Sequence, residues 1–269
     1  VISSRSAINP VLRIPEVYIN MGFTLTAADG KTISDAGASA DSYSGTDTLG
    51  MALTLINEQA DGVVARLAND PDQLKLAGEE REITALFTDI EGFTAMTERL
   101  GPADLVGLLD RYFDCVCGIV VAHGGMVDKF VGDAVHAFFN APIDLPDHAG
   151  RAVDCALAIH AATGRFRAEP ENARFALGRT RIGVETGRAI LGDVGAGRKL
   201  DYTAHGMAIN LAARLEASNK TFGSSIAVGP RCVELCVRHG FRELGTIEPF
   251  AGAQPLRVFE PLAIEERRV

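Results

Sequence analysis

The chain has 269 residues, 47% of them hydrophobic and 23% charged, with 35 Asp and Glu against 26 Lys and Arg for a formal net charge of −9. That length suits one ordinary domain with an appendage, or two small ones, and the acidic balance excludes a protein that grips nucleic acid or an anionic membrane by bulk charge. Charged residues interrupt every apolar run before the roughly 20 residues that a bilayer crossing needs, so the expectation is a cytoplasmic, soluble chain with no membrane contact of its own. It begins at Val1 without a signal-peptide pattern, which reads as a piece of a longer protein whose other parts could include a membrane anchor. Cys115, Cys117, Cys155, Cys232 and Cys236 are odd in number and lack spaced CxxC pairs, so they read as reduced core thiols.

In chain order, residues 1–23 mix apolar and polar positions around Pro10 and Pro15, with room for a short strand. From Thr24 to Thr48, 21 of 25 residues are Ala, Asp, Gly, Ser or Thr, too little apolar area to offset ordering entropy, which reads as a linker or loose appendage. Ala52, Ile56, Ala60, Val63 and Leu67 then follow helical spacing until Asp70-Pro71 ends the run. From Glu82 strands and helices alternate. Ile83–Thr88 is a short apolar strand running into Asp89-Ile90-Glu91-Gly92. A helix from Pro102 carries Leu105, Leu108, Leu109, Tyr112, Phe113, Val116, Ile119 and Val120 on one stripe. Met126–Val131 and Ala134–Asn140 form a hairpin about Gly132-Asp133. A helix from Asp147 past His160 follows, then strands at Thr180–Glu185 and Ala189–Asp193, a helix over Met207–Ser218, a strand at Ser225–Val228, a short helix to Arg238, and closing strands near Phe241–Leu244 and Leu256–Glu260. The pattern predicts an α+β sandwich with helices on one face of a mostly antiparallel sheet.

Two carboxylates stand at informative places: Asp89 ends an apolar strand, and Asp133 sits in the turn of an apolar hairpin. If those strands are neighbours, both carboxylates reach one sheet edge, with the Ile90 carbonyl as a further oxygen, a donor set suited to a hard divalent ion. Taken alone, a strand-end aspartate is equally a turn former or helix cap. Three segments add to this: Asp89-Ile90-Glu91-Gly92-Phe93-Thr94; the hairpin from His123-Gly124-Gly125 to Val131-Gly132-Asp133-Ala134; and Asp201-Tyr202-Thr203-Ala204-His205-Gly206 leading into Asn210-Leu211-Ala212-Ala213-Arg214-Leu215-Glu216. Together, in this order and spacing, from about Leu74 to Leu262, they closely resemble the class III nucleotidyl cyclases.

That resemblance implies a ferredoxin-like βαββαβ sandwich and an adenylate cyclase converting ATP to 3′,5′-cyclic AMP and pyrophosphate. It implies Asp89, Asp133 and the Ile90 backbone as ligands for two Mg²⁺ per site, with Mn²⁺ as a substitute. Lys129 and Thr203 fall on the positions that read the adenine edge, Arg198 on a triphosphate contact, and Asn210 and Arg214 on the pair that orients the ribose and stabilises the transition state. It implies a homodimer with two equivalent active sites, each taking its metal aspartates from one protomer and Lys129, Thr203, Asn210 and Arg214 from the other. The domains follow: residues 1–50 a variable leader, 51–80 an amphipathic helix and linker resembling those of sensor-linked bacterial cyclases, 81–262 the catalytic domain, and 263–269 a tail. Lysine donates and threonine can accept, matching adenine, where guanine presents the reverse; guanylate cyclases of the family carry Glu and Cys or a similar pair here. A guanylate cyclase and a catalytically silent nucleotide-binding relative remain the alternatives. Val131-Gly132-Asp133-Ala134 lacks the Gly-Gly-Asp/Glu-Glu-Phe turn of diguanylate cyclases.

Some positions depart from the family pattern. His205, Met207 and His136 replace usual residues and read as packing variation. Pro249-Phe250-Ala251-Gly252-Ala253 has no lysine where many relatives hold the triphosphate, which points to weak ATP affinity or to a substitute at Arg188 or Lys199. His123 reads as a helix-end residue, and His148 and His160 as surface-helix residues.

Overall fold

A computed structural model describes strands 2–8, 15–26 and 32–42 together with residues 78–193 and 202–262. The chain divides into two compact units, residues 1–79 with 191–203, and residues 80–190 with 204–269. The seam of Ala52 to Leu67 and the tail from residue 263 lie outside the described residues.

In the first unit β1 (Ile2–Ile8), β2 (Pro15–Thr26) and β3 (Thr32–Ser42) form a three-stranded sheet with both pairings antiparallel. Within Thr24–Thr48, read as a linker or loose appendage, β2 runs to Thr26 and β3 spans Thr32–Ser42. Composition judged that segment by what it could bury alone, whereas β3 satisfies its backbone groups against the partner strand β2.

The second unit holds β4 (Glu79–Ile90), α1 (Phe93–Thr97), α2 (Pro102–Ala122), β5 (Gly125–Val131), β6 (Ala134–Phe139), α3 (His148–Ala168), α4 (Pro170–Ala173), β7 (Thr180–Asp193), β8 (Tyr202–His205), α5 (Met207–Phe222), β9 (Ile226–Val228), α6 (Pro230–Leu235), β10 (Phe241–Ile247) and β11 (Leu256–Pro261), with the ends of β4, β7 and β8 reaching into the first. Its sheet runs β10-β11-β9-β7-β4-β6-β5, with β8 beside β7. β10 with β11, β11 with β9, β4 with β6 and β5 with β6 pair antiparallel, and β7 with β9 parallel. The succession β4-α2-β5-β6-α3-β7 is the expected βαββαβ order. The long helices α2 and α3 pack on each other through Tyr112 and Phe166, with ring centroids 6.2 Å apart. On α2 the predicted stripe is buried except Ile119, half-buried, and Cys117 joins the core.

Three features differ from the sequence reading. The two strands expected at 180–185 and 189–193 are one 14-residue strand, β7, because Gly187 does not interrupt its extended course. The helix expected to run to Arg238 stops at Leu235, and α1, α4 and β8 are additional. His148 is buried, not superficial: its Nδ1 lies 2.7 Å from Thr84 Oγ1, which is in turn 2.7 Å from Thr186 Oγ1. Burial pulls its pKa down.

Outside the βαββαβ core, α5 lies against Ala85 and Phe87 through Ala212. Its approach to β7 depends on Gly183, where a Cβ would stand 2.1 Å from the Ala212 carbonyl oxygen and 2.3 Å from Glu216 N. Only a missing side chain allows helix backbone that near to a strand.

Candidate active site

The hairpin β5–β6 turns at Gly132-Asp133, with Val131 opposite Ala134. Gly132 has φ +65°, the left-handed region that glycine adopts without strain. The β4–β6 ladder ends at Phe87 opposite His136. Beyond it, side chains take over: Val135 N–H donates to Thr88 Oγ1 at 3.1 Å and Ile90 N–H donates to Asp133 Oδ2 at 2.8 Å. These two bonds tie the end of β4 to the hairpin tip, so Asp89, Ile90 and Asp133 meet at one sheet edge.

Asp133 is buried and Asp89 partly so, its side chain 29% exposed. Burial pushes the Asp133 carboxyl up to about 6, the nearby Asp89 adds to that, and the Ile90 N–H and Arg181 offset part of it. Two carboxylates with a backbone carbonyl between them in sequence are an all-oxygen donor set of the kind that Mg²⁺ or Mn²⁺ takes.

The sequence reading missed Arg181. From β7 its Nη2 donates to Asp89 Oδ2 and its Nε lies 3.0 Å from Glu216 Oε1 on α5, the side chain being 16% exposed. One cation thus joins β4, β7 and α5. Burial, and then the Asp89 charge, pushes the Glu216 carboxyl up to about 7, with Arg181 opposing. An arginine inside an apolar strand was the available signal, because a charge carried into a sheet requires a partner.

The other expected residues fall elsewhere. Asn210 and Arg214 stand exposed, one turn apart on α5, while Ala208, Ala212 and Leu215 face inward. The Arg214 guanidinium lies 5.5 Å from the Phe250 ring centroid, so the turn that lacks a lysine offers an aromatic face to this arginine. Lys129 is on β5 opposite His136, just past a bulge at Asp128, whose Oδ2 lies 3.5 Å from its Nζ. His136 stacks on Phe87 at 3.9 Å, and burial followed by the Lys129 charge pulls its pKa down to about 4. Thr203 is buried on β8. Arg198 and Lys199 lie outside the described residues. Arg188 is 76% exposed and 3.3 Å from Glu80.

The model of the adenylate and guanylate cyclase catalytic domain matches residues 77–246. The chain therefore belongs to the class III nucleotidyl cyclase family. It is 38% identical over 189 residues to adenylate cyclase 1 of Rhizobium meliloti, a match covering 70% of this chain and 28% of that protein. Among solved structures it resembles the adenylyl cyclase CyaB from P. aeruginosa, at 29% identity and TM-score 0.62 over 69% of this chain and 96% of that one. The guanylyl cyclase Cya2 gives 27% identity and TM-score 0.60 over 68% and 93%. The chain spans about a third of the length of the curated relatives it matches. No helix among the described residues is long and apolar enough to cross a membrane.

Proposed function

We propose that the chain is the catalytic part of an adenylate cyclase, making 3′,5′-cyclic AMP and pyrophosphate from ATP at the interface of a homodimer in intracellular signalling. The observation that carries this reading is the tie between Ile90 N–H and Asp133, which sets two carboxylates and a carbonyl at one edge. Asp89, Asp133 and the Ile90 carbonyl would hold two Mg²⁺, or Mn²⁺ in their place. Bound there, such ions supply a lowered pKa for the ribose 3′-hydroxyl and neutralise triphosphate charge.

The chain's own side chains do the remainder. Asn210 orients the ribose. Arg214, exposed on the same helix face, meets the charge that builds on the α-phosphoryl group and the leaving oxygen. Arg181 adds a preorganised cation beside Asp89, and with Arg198 it supplies positive charge for the triphosphate that the turn at Phe250 lacks. Exposure of Lys129, Asn210 and Arg214 supports a site completed by a second protomer, since all three are presented outward from the fold. Lys129 donating to adenine N1 and Thr203 accepting from the amino group give ATP over GTP.

Exchange of the base-reading pair tests this. The double variant Lys129→Glu, Thr203→Cys is expected to turn over GTP at the expense of ATP. Loss of both activities in a folded double variant, or an unchanged nucleotide preference, would contradict the assignment.

A further inference from the structure

At the end of the sheet, α6 carries Cys232 inside its length and Cys236 as its C-cap, where φ −90° and ψ 76° leave the helical course. Four residues of helix separate their Cα atoms by about 6 Å, within the Cα span of a disulfide, and their Cβ atoms by about 5–6 Å, so closing a bridge needs the C-terminal turn of α6 to draw in by about 1–2 Å. The Cys232 thiol donates to the Ala149 carbonyl oxygen at 4.0 Å. On the other side, Cys236 Sγ lies 3.6 Å from His239 Nδ1, and His239 Nε2 lies 2.8 Å from Asp154 Oδ1 on α3. Arg238 Nη2 reaches the same aspartate at 3.2 Å. A carboxylate facing Nε2 fixes the proton there and leaves the Nδ1 lone pair toward the sulfur. This is a thiol, a base and a group that orients the base, with a second thiol alongside.

We propose that Cys232 and Cys236 are a hydroperoxide-sensitive thiol pair that closes to an intrachain disulfide, with His239 and Asp154 holding the proton acceptor for Cys236. The step balances. Cys236 gives its proton to His239 Nδ1, and its sulfur attacks the distal oxygen of the hydroperoxide. The O–O bond breaks, and the alkoxide or hydroxide takes up a proton and leaves as alcohol or water. The resulting sulfenic acid is attacked by Cys232; the S–S bond forms, the S–O bond breaks and water departs. Two thiols are oxidised by two electrons and one peroxide bond is reduced.

The remaining cysteines provide the contrast. Burial pushes the thiols of Cys115, Cys117 and Cys155 up. The neighbouring Cys232 thiol pulls Cys236 down while Cys232 itself is pushed up. Cys232 and Cys236 are both buried, and the turn that covers them carries Val237, which is 89% exposed. Cys115 is the most exposed of the five.

The test uses the full chain in chelator-treated buffer with hydrogen peroxide, quenched with iodoacetamide and read by intact mass and peptide mapping. The expected product carries three alkyl groups where the reduced chain carries five, on a chain lighter by about 2 Da before alkylation, with one bridge joining Cys232 to Cys236. Cys232→Ser should stop at a Cys236 sulfenic acid that dimedone traps. Asp154→Asn and His239→Gln, checked as folded by circular dichroism, should react about tenfold more slowly. Oxidation of Cys115 ahead of Cys236, bridges only between chains, or a stoichiometric zinc ion on both thiols would overturn the proposal, and none of these readouts depends on nucleotide turnover.

Discussion

Glu185 on β7 is 2% exposed, with Oε1 accepting the N–H groups of Thr186 at 2.8 Å and Cys232 at 3.1 Å. Those two bonds do not fully offset the loss of water, so burial pushes its carboxyl from an ordinary 4.5 to about 7. The folded protein therefore holds this proton more tightly than the unfolded chain. Its contribution is neutral below about 4.5, costs stability progressively as pH rises to about 7, and is constant above. Linkage bounds the cost at about 3 kcal/mol. Glu185→Gln keeps an acceptor and removes the charge, so its thermal midpoint should exceed wild type at pH 8 and match it near pH 4. Parallel stability curves across that range would refute the assignment. Arg214 is the opposite case: exposed, with its guanidinium over the Phe250 ring. Arg214→Ala should leave the unfolding midpoint within about 0.5 kcal/mol of wild type and lower turnover by about 10²–10³; steady-state kinetics beside a denaturation curve measures both.

Among the elements, α5 does two things at once. Its inward face packs Ala212 onto Ala85 and Phe87, and its outward face presents Asn210 and Arg214. Gly183 sets how close it comes to β7. Gly183→Ala should cost about 1–3 kcal/mol by overpacking and reduce turnover further, because α5 must lift and carry both side chains with it; an unchanged urea midpoint would contradict this. Much of the element plan was legible in the sequence because it is written in local signals. The stripe from Leu105 to Val120 repeats at helical spacing, and Gly132-Asp133 separates two apolar runs. What escaped depends on partners distant in sequence. Arg181 and Asp89 are 92 residues apart, and nothing near Arg181 in the chain shows that β7 lies beside β4. The strand β3 escaped for a related reason: its backbone is satisfied by β2, which its own composition does not record. His148 was placed on the surface because its helix begins there, while Thr84 reaches it from the sheet. The aspartate pair was readable because both residues sit at turn or strand-end positions that sequence marks directly.

For the molecule as a whole, the proposed site divides between the edge carrying Asp89 and Asp133 and the outward face of α5. If each site takes its carboxylates from one protomer and Arg214 from the other, Asp89→Ala and Arg214→Ala should each be nearly inactive alone. Mixed in equal amounts, half of the dimers combine the two variants and each of these has one intact site of two, so activity should return to about one quarter of wild type. A mixture no better than its components would argue for a site built within one chain. Specific activity should also fall on dilution through the dimer dissociation range. The central claim is tested most directly by incubating the purified chain with Mg²⁺ or Mn²⁺ and either ATP or GTP, and identifying the product by mass spectrometry. The account predicts 3′,5′-cyclic AMP with pyrophosphate from ATP; cyclic GMP from GTP as the main product, or no cyclic nucleotide with either metal, would contradict it.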